Sequence, residues 1–585
     1  MTDTALAVGA TGMLRDFNRA GVLSAADVHV ARRISALAGE NDQRALLAAA
    51  LLTRAVRHGS VCLDLAAVVE AVALPPGLAW PDLPGWVAAV TGSPLVDRGV
   101  LRWEFDRLYL DRYCRQEAQV CADLTVRDAG PQPVVDGSLL GSGIARVFPD
   151  PGYDEQAHAS CAAATRWTSV LTGGPGTGKT ATVARLLALL AEQVPGSAAP
   201  GGSRERLRVA LTAPTGKAAA RLEEAVREAT AELHPEDRDR LGTLTASTLH
   251  RLLGYRHENR TRFRHHRGNR LPHDVVVVDE TSMVSLTMMA RLVEAVRPDA
   301  RLILVGDPDQ LASVDAGAVL ADLVAGYAGR PDSPVSTLMT PHRFGGAIAE
   351  LAAAIRTGSG DEAVGVLRSG DADVTLVEDP DPAPLLHASL RDEALAVREA
   401  ALAGDASAAI EALGRHRLLC AHRAGPYGVA HWNRQVEHWI SEATGDPLYE
   451  PMYVGRPLLV SANDHGLGVY NGDTGVVVRS GDAVRAVVTG ASGLLDLAPG
   501  RLGDVETMHA MTIHKSQGSQ AEEVTVLLPP PGSRLLTREL LYTAVTRAQR
   551  RVRVVGSETA LREALARRAQ RASGLRQRLA AQQPH

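Results

Sequence analysis

With 585 residues, 45% of them hydrophobic, the chain is too long for one core and is expected to divide into roughly three to five domains of ordinary globular composition. Its formal net charge of −5 excludes a protein that meets a polyanion through bulk charge, so any nucleic-acid surface must be local. The opening MTDTALAVGATGMLRDFNRA has no basic stretch leading into an apolar block, and no apolar run reaches membrane-spanning length, which sets the expectation of a cytoplasmic protein.

Residues 1–124 read as a helical domain. VHVARRISALAGENDQRALLAAALLTRAV and LDLAAVVEAVALP place apolar residues three and four apart, and Leu108 to Leu124 reads as a closing amphipathic helix. This part carries no phosphate loop and no catalytic cluster, so its expected role is packing or docking. The cysteines Cys62, Cys114, Cys121, Cys161 and Cys420 are scattered without a C-x-x-C pair, which argues against a disulfide frame or a zinc site. An iron–sulfur site from the first four is compatible with their spacing, but buried apolar use is the ordinary reading. Residues 125–152, with DAGPQPVVDGSLLGSG, read as a linker.

Residues 153–335 alternate apolar strands with helices, the pattern of a parallel sheet covered on both faces. Gly173-Gly174-Pro175-Gly176-Thr177-Gly178-Lys179-Thr180 fits G-x-x-x-x-G-K-[ST], with an apolar strand before it and a helical stretch after it. Its glycines let backbone N–H groups reach a triphosphate, Lys179 reaches the β/γ oxygens, and the Thr180 hydroxyl suits Mg²⁺. Val275 to Val278 end at Asp279-Glu280, on the carboxyl edge where parallel sheets bind ligands. There Asp279 can share the Mg²⁺ with Thr180, and Glu280 can orient and deprotonate a water. A further strand, Leu302 to Val305, leads to Gly306-Asp307-Pro308-Asp309-Gln310-Leu311, where Gln310 can bond a γ-phosphate.

Arg256 to Arg270 holds six arginines and three histidines against one acid. With Phe263 among them, a basic hairpin over 255–271 touching a phosphate backbone competes with a solvated loop. A second α/β segment is expected over 336–431, resuming at 502–585, with a small β-barrel inserted over 432–501; Asn471-Gly472-Asp473 is a hairpin-turn signal there. The tail from Arg562 to Arg578 has six arginines and one acid. A solvated helix face, a DNA contact and a subunit contact all fit it.

Taken in order, the P-loop, TAPTGKAA, TASTLHRLLG, VVDETSM, GDPDQL, PHRF, TIHKSQGSQ and LYTAVTRAQRRV resemble the superfamily 1 helicases, in their 5′-to-3′ branch. With LLCAHRAGPYGVAHWN, GRPLLVSANDHGLGVYNGDTG and QRASGLRQRL, the chain is most similar to the RecD family, the alpha subunits of RecBCD exodeoxyribonuclease V. The resemblance implies an α/β chain of two RecA-like motor domains, an N-terminal helical domain and an SH3-like barrel. It implies that Gln156 reads adenine, Gln310 senses the γ-phosphate, and Arg343 and Arg547 act as arginine fingers. Thr215, His250, Thr512 and His514 would line a single-strand path, with Phe263 in a strand-separating pin. Thr215 and the others could equally be helix caps or satisfied core residues.

The implied activity is ATP- and Mg²⁺-dependent 5′-to-3′ DNA unwinding within a heterotrimer with RecB-like and RecC-like subunits, acting on single-stranded and double-stranded DNA ends. No nuclease-type acidic cluster is present in the sequence. The alternatives are a free-standing DNA or RNA helicase, and a regulatory subunit that binds ATP without turnover; the full set of Glu280, Arg343 and Arg547 argues against the latter.

Overall fold

The computed structural model describes residues 6–581 except 73, 195–205, 257–258, 341–345, 380, 465, 491–492 and 570, with backbone alone at 256 and 259–261. Two parallel sheets organise it. In the first, six strands lie in the order Val335–Leu338, Thr168–Gly173, Arg301–Gly306, Val275–Val278, Val209–Ala213, Ala246–Thr248, all parallel. Alternate residues enter two cores: Val276, Val278, Leu302 and Leu304 face one, and Val275, Val277, Ile303 and Val305 the other. Double-sided burial explains the unbroken valine run, since neither face meets water.

The second sheet has five parallel strands in the order Val374–Val377, Ala548–Val555, Ala521–Leu527, His416–Cys420, Ala510–Thr512. Between two of them the chain leaves to form a five-stranded antiparallel sheet in the order Gly493–Leu497, Ala483–Gly490, Thr474–Ser480, Pro457–Val460, Val505–Thr507. Leu458, Val460, Val477 and Val488 build its own core, while Leu459, Val476 and Val487 face the core of the second parallel sheet.

Three expectations change. The insertion expected from 432 begins at the Pro457 strand and extends past 501 to Thr507. Val429–Thr444 is instead a helix whose Trp432, Val436 and Trp439 pack on Leu418 and Cys420 of the parallel sheet. Their helical spacing outweighs the β-rich composition that follows. Residues 125–152 are more than a linker: the helix Asp111–Ala129 runs into them and Gly137–Val147 is a second helix. Asp136 caps it through Ser138 and Leu139, and Leu140 and Val147 are buried with Leu187. The N-terminal part is helical except for a three-stranded sheet of Cys62–Leu63, Leu101–Glu104 and Arg107–Leu110, so Leu108–Leu110 is strand and the closing helix starts at Asp111. Cys62, Cys114 and Cys121 are buried but Cys161 is exposed on another helix, and no metal-ligating group of three is found among the described residues. No described helix is long and apolar enough to cross a membrane.

The arginine-rich tail is an internal strap. Helix Leu575–Ala581 buries Leu575 and Leu579 beside Leu323 and Tyr327 of the first sheet's core. Arg578 pairs with Glu104 at 2.6 Å and Glu117 at 3.3 Å. Arg562 sits at the surface with Glu558 and Asp361, so these two arginines of the tail are held in separate structural pairings.

Candidate active site

The carboxyl edge of the first sheet gathers the expected residues. Thr168–Gly173 is buried along its length, and the chain turns through Gly174 to Gly178 into the helix Lys179–Glu192. Gly176 and Gly178 both have φ of +80°, a conformation a side chain resists and glycine accepts. That geometry aims the helix N-terminus and its N–H groups at the space above the sheet. Lys179 Nζ donates to the carbonyls of Gly173 and Gly174 at 2.7 Å each, and Thr177 Oγ1 donates to Gly174 at 2.9 Å. Gln156, 1% exposed, donates from Nε2 to the Thr177 carbonyl at 3.2 Å, which sets it against the loop. Its neighbour Glu155 accepts from Met339 N at 2.7 Å and Thr340 N at 3.1 Å. Arg343, two residues beyond Pro341, lies outside the described residues.

Asp279 follows the valine strand, its N–H bonded to the Thr212 carbonyl at 2.9 Å. Its carboxylate accepts from Glu280 N at 2.8 Å. Glu280 has φ of +49°, a left-handed conformation that costs a non-glycine residue on the order of 1 kcal/mol or more. Burial first, and then the charge of Glu280, raise the Asp279 pKa above the usual carboxylate range. A carboxylate so placed favours a cation beside it. Thr180, on the first turn of the facing helix, and Asp279 supply the hard oxygen donors that Mg²⁺ prefers. With the open glycine loop, this donor set fits a nucleotide–Mg²⁺ pair.

The second sheet completes the cleft. Gln310, 8% exposed, donates from Nε2 to Asp307 at 3.0 Å and accepts on Oε1 from Arg547 Nη2 at 3.1 Å. Arg547 is 5% exposed; Nε donates to the Thr543 carbonyl at 3.0 Å and Nη2 to Thr546 Oγ1 at 3.3 Å. Leu311 N donates to Thr543 Oγ1 at 3.0 Å, and Gln517 Nε2 to the Leu311 carbonyl at 2.9 Å. Two residues were not singled out by sequence. Tyr542, 3% exposed, hydrogen-bonds Asp307, and a side chain at Gly174 would meet its hydroxyl at 3.1 Å. Both lie inside motifs already noted, LYTAVTRA and GDPDQL; their spacing gave no sign of which members face the cleft.

The residues expected along a single strand are arranged less uniformly. Thr215 Oγ1 accepts from Ala218 N at 3.2 Å as a helix N-cap, and Thr512 Oγ1 accepts from Lys515 N at 3.3 Å. Each hydroxyl keeps its own proton to donate. His250 is exposed and its ring lies 5.9 Å from both Tyr255 and Phe263, so the base of the hairpin carries an aromatic cluster. The hairpin itself pairs Tyr255–Arg256 with Asn259–Phe263. Arg267, by contrast, is clamped by Asp123 at 2.7 and 2.8 Å. Burial, with Arg571 and Arg423 nearby, lowers the His514 pKa.

A P-loop beneath a parallel sheet, faced across a cleft by an arginine from a second parallel sheet, defines an α/β nucleotide-binding protein of the superfamily 1 helicase class. Family models agree: an AAA domain matches residues 152–378, the UvrD-like helicase C-terminal domain 507–555, and the RecBCD enzyme subunit RecD N-terminal domain 19–109. The chain is 61% identical to the RecBCD enzyme subunit RecD of Mycobacterium tuberculosis (strain ATCC 25618 / H37Rv), covering 99% of both. It is 57% identical to that of Mycolicibacterium smegmatis, covering 96% of this chain and 98% of the relative. It is also 32% identical to the ATP-dependent RecD2 DNA helicase of Deinococcus radiodurans over 79% of this chain and 57% of that protein. The chain belongs to the RecD family and is an ATP-dependent DNA helicase.

Proposed function

We propose that the chain is the 5′-to-3′ motor subunit of a RecBCD-type enzyme that unwinds broken duplex ends for recombinational repair, assembled with RecB-like and RecC-like partners in the cytoplasm. The observation that carries the motor reading is the Arg547–Gln310 bond at 3.1 Å, because it joins the two parallel sheets at the mouth of the P-loop. The partnership draws on the relatives' names and on the RecD N-terminal match at residues 19–109.

In this reading residues 153–335 and the two parts 336–456 and 508–585 on either side of the insertion form RecA-like motor domains, 1–124 docks on a RecC-like subunit, and the antiparallel insertion is an SH3-like barrel beside DNA. Gln156 holds the adenine. Gly173 through Gly178 wrap the phosphates of ATP, and Lys179, freed from its two loop carbonyls, moves onto the β/γ oxygens. Thr180 and Asp279 hold Mg²⁺, which when bound neutralises phosphate charge. Glu280 takes a proton from the attacking water as it adds to the γ-phosphorus and the β–γ bridging bond breaks toward ADP. Gln310 contacts the γ-phosphate, while Arg547 and Arg343 place positive charge on it from the other domain. Hydrolysis then depends on closure of the cleft, and each opening and closing shifts Thr215 and His250 relative to Thr512 and His514 along one strand. Phe263 and its basic neighbours part the duplex.

The test is hydrolysis by the chain reconstituted with both partners, with and without single-stranded DNA. Strong stimulation that Lys179→Gln abolishes is expected. DNA-independent hydrolysis would remove the motor reading.

A further inference from the structure

The strap from Arg571 to Leu579 touches three parts of the molecule. Its Arg571 Nη1 donates to the carbonyls of Ser313, of Asp315 at 3.1 Å and of Gly317 at 3.5 Å. Those carbonyls belong to the loop that leaves Gln310. Backbone acceptors converging on one guanidinium nitrogen, which shares its two N–H bonds among them, tie the loop to the strap through charge-assisted bonds.

The same loop is also held at Leu311, whose N–H and carbonyl bond Thr543 and Gln517, and at Ala316, whose carbonyl accepts from Leu286 N at 3.1 Å. Ser313 N donates to the Ser282 carbonyl at 3.1 Å, close behind Asp279-Glu280, and Gly317 N donates to the Gly59 carbonyl at 2.9 Å. Gly59 has φ of +90°, and a side chain there would come within 2.9 Å of the Arg571 guanidinium carbon. The N-terminal part and the strap therefore meet each other at this loop.

What places Arg571 is the docking of the residues after it. Val61 N donates to the Ala572 carbonyl at 2.9 Å, and Ala572 N to Ser60 Oγ at 3.2 Å. Glu117, fully buried, accepts from Ser573 Oγ at 2.8 Å, Gly574 N at 3.0 Å and Arg578 Nε at 3.3 Å. A buried carboxylate with three donors is an anchor that tolerates no slack.

We propose that Arg571 is a positioning residue for ATP hydrolysis: through the Leu311–Gly317 loop it holds Gln310 at the setting where it meets both the γ-phosphate and Arg547, and Glu117 anchors it there. This rests on the reading of Gln310 as the γ-phosphate contact. It makes the N-terminal part a determinant of turnover, since a shift of Glu117 passes to Gln310 through one rigid strap.

The experiment is a double-mutant comparison in the full complex with saturating single-stranded DNA. Arg571→Ala is expected to lower kcat about tenfold with the KM for ATP and the affinity for a fluorescent ADP analogue unchanged. Arg571→Lys, which keeps one donor in reach, recovers part of the loss. In a Gln310→Ala background Arg571→Ala should cost nothing further, because its only route to the chemistry is gone. The same tenfold loss in that background, or an unchanged kcat in the single variant, overturns the proposal. Should Arg571→Ala fail to fold, Glu117→Gln and Arg571→Lys carry the same comparison. If Gln310→Ala alone leaves kcat intact, it is the underlying reading of Gln310 that fails.

Discussion

Arg547 Nη2 donates to Gln310 Oε1 at 3.1 Å across 237 positions of sequence, and both side chains are withdrawn from water. Burial lowers the Arg547 pKa, with Glu280, Asp307 and Tyr542 opposing that shift. The guanidinium is thus held in a dry cleft by acidic neighbours and a neutral amide. Replacing Arg547 with Ala should reduce kcat by about 10³ while the Kd for ATP changes little, since a finger acts mainly on the charge of the transition state. Single-turnover hydrolysis alongside equilibrium binding checks this; equal losses in both would assign Arg547 to binding alone.

Glu280→Gln keeps the shape of the strained residue and removes its basicity. Hydrolysis should fall by at least about 10², while ATP-dependent retention on single-stranded DNA persists or increases. A filter-binding assay with ATP and with ADP separates the two effects. Full hydrolysis by the variant would mean another group receives the proton.

The basic hairpin divides into two kinds of arginine. Arg262 and Arg264 are exposed, and neutralising them should weaken unwinding more than hydrolysis and flatten the salt dependence of DNA binding, by a slope of roughly 0.7 per lost phosphate contact. Arg267 is different: its bond is to Asp123 of the Asp111–Ala129 helix. With its side chain 55% exposed, Arg267→Ala should cost about 0–1 kcal/mol of stability and leave the salt slope unchanged.

Two histidines make stability fall in acid. Burial lowers His416 to about 4 and His509 to about 3. His416 Nε2 bonds Thr525 Oγ1 at 2.9 Å, and His509 Nε2 bonds Tyr453 at 3.0 Å. Below pH 6.5 the unfolded chain takes up protons that the folded chain refuses, so stability drops as pH falls from about 6.5 toward 4. Each histidine contributes a slope of up to roughly 1.4 kcal/mol per pH unit. His416→Asn and His509→Gln should each flatten the denaturation midpoint over that window and leave it alone above pH 7. A midpoint that declines just as steeply in the double variant would locate the acid sensitivity elsewhere.

The sheets were legible where burial on both faces wrote itself into the chain as unbroken apolar runs, as in Val275–Val278 and Leu302–Val305. The P-loop was legible because glycine at positive φ has no substitute at Gly176 and Gly178. What sequence hid was long-range. Nothing local separates Arg267, which meets Asp123, from Arg264, or Thr215 as a cap from Thr215 as a phosphate contact. The tail showed only its charge, while its fate was set by Glu117 more than four hundred residues earlier. The helix Val429–Thr444 is hard to read for a related reason: its partners Leu418 and Cys420 lie on a strand before it, while the β-rich stretch is adjacent to it in sequence.

Leu575 and Leu579 sit in the first sheet's core next to Leu323 and Tyr327, although that sheet's strands end at Leu338. During synthesis the first sheet can assemble long before these two leucines leave the ribosome, and its flank beside Tyr327 then stays open while the second sheet and its insertion are made. The apolar slot is sealed only when residue 579 emerges. A chain stalled before that point leaves these apolar side chains facing water, so the first sheet reaches its full burial only after the second sheet has been made.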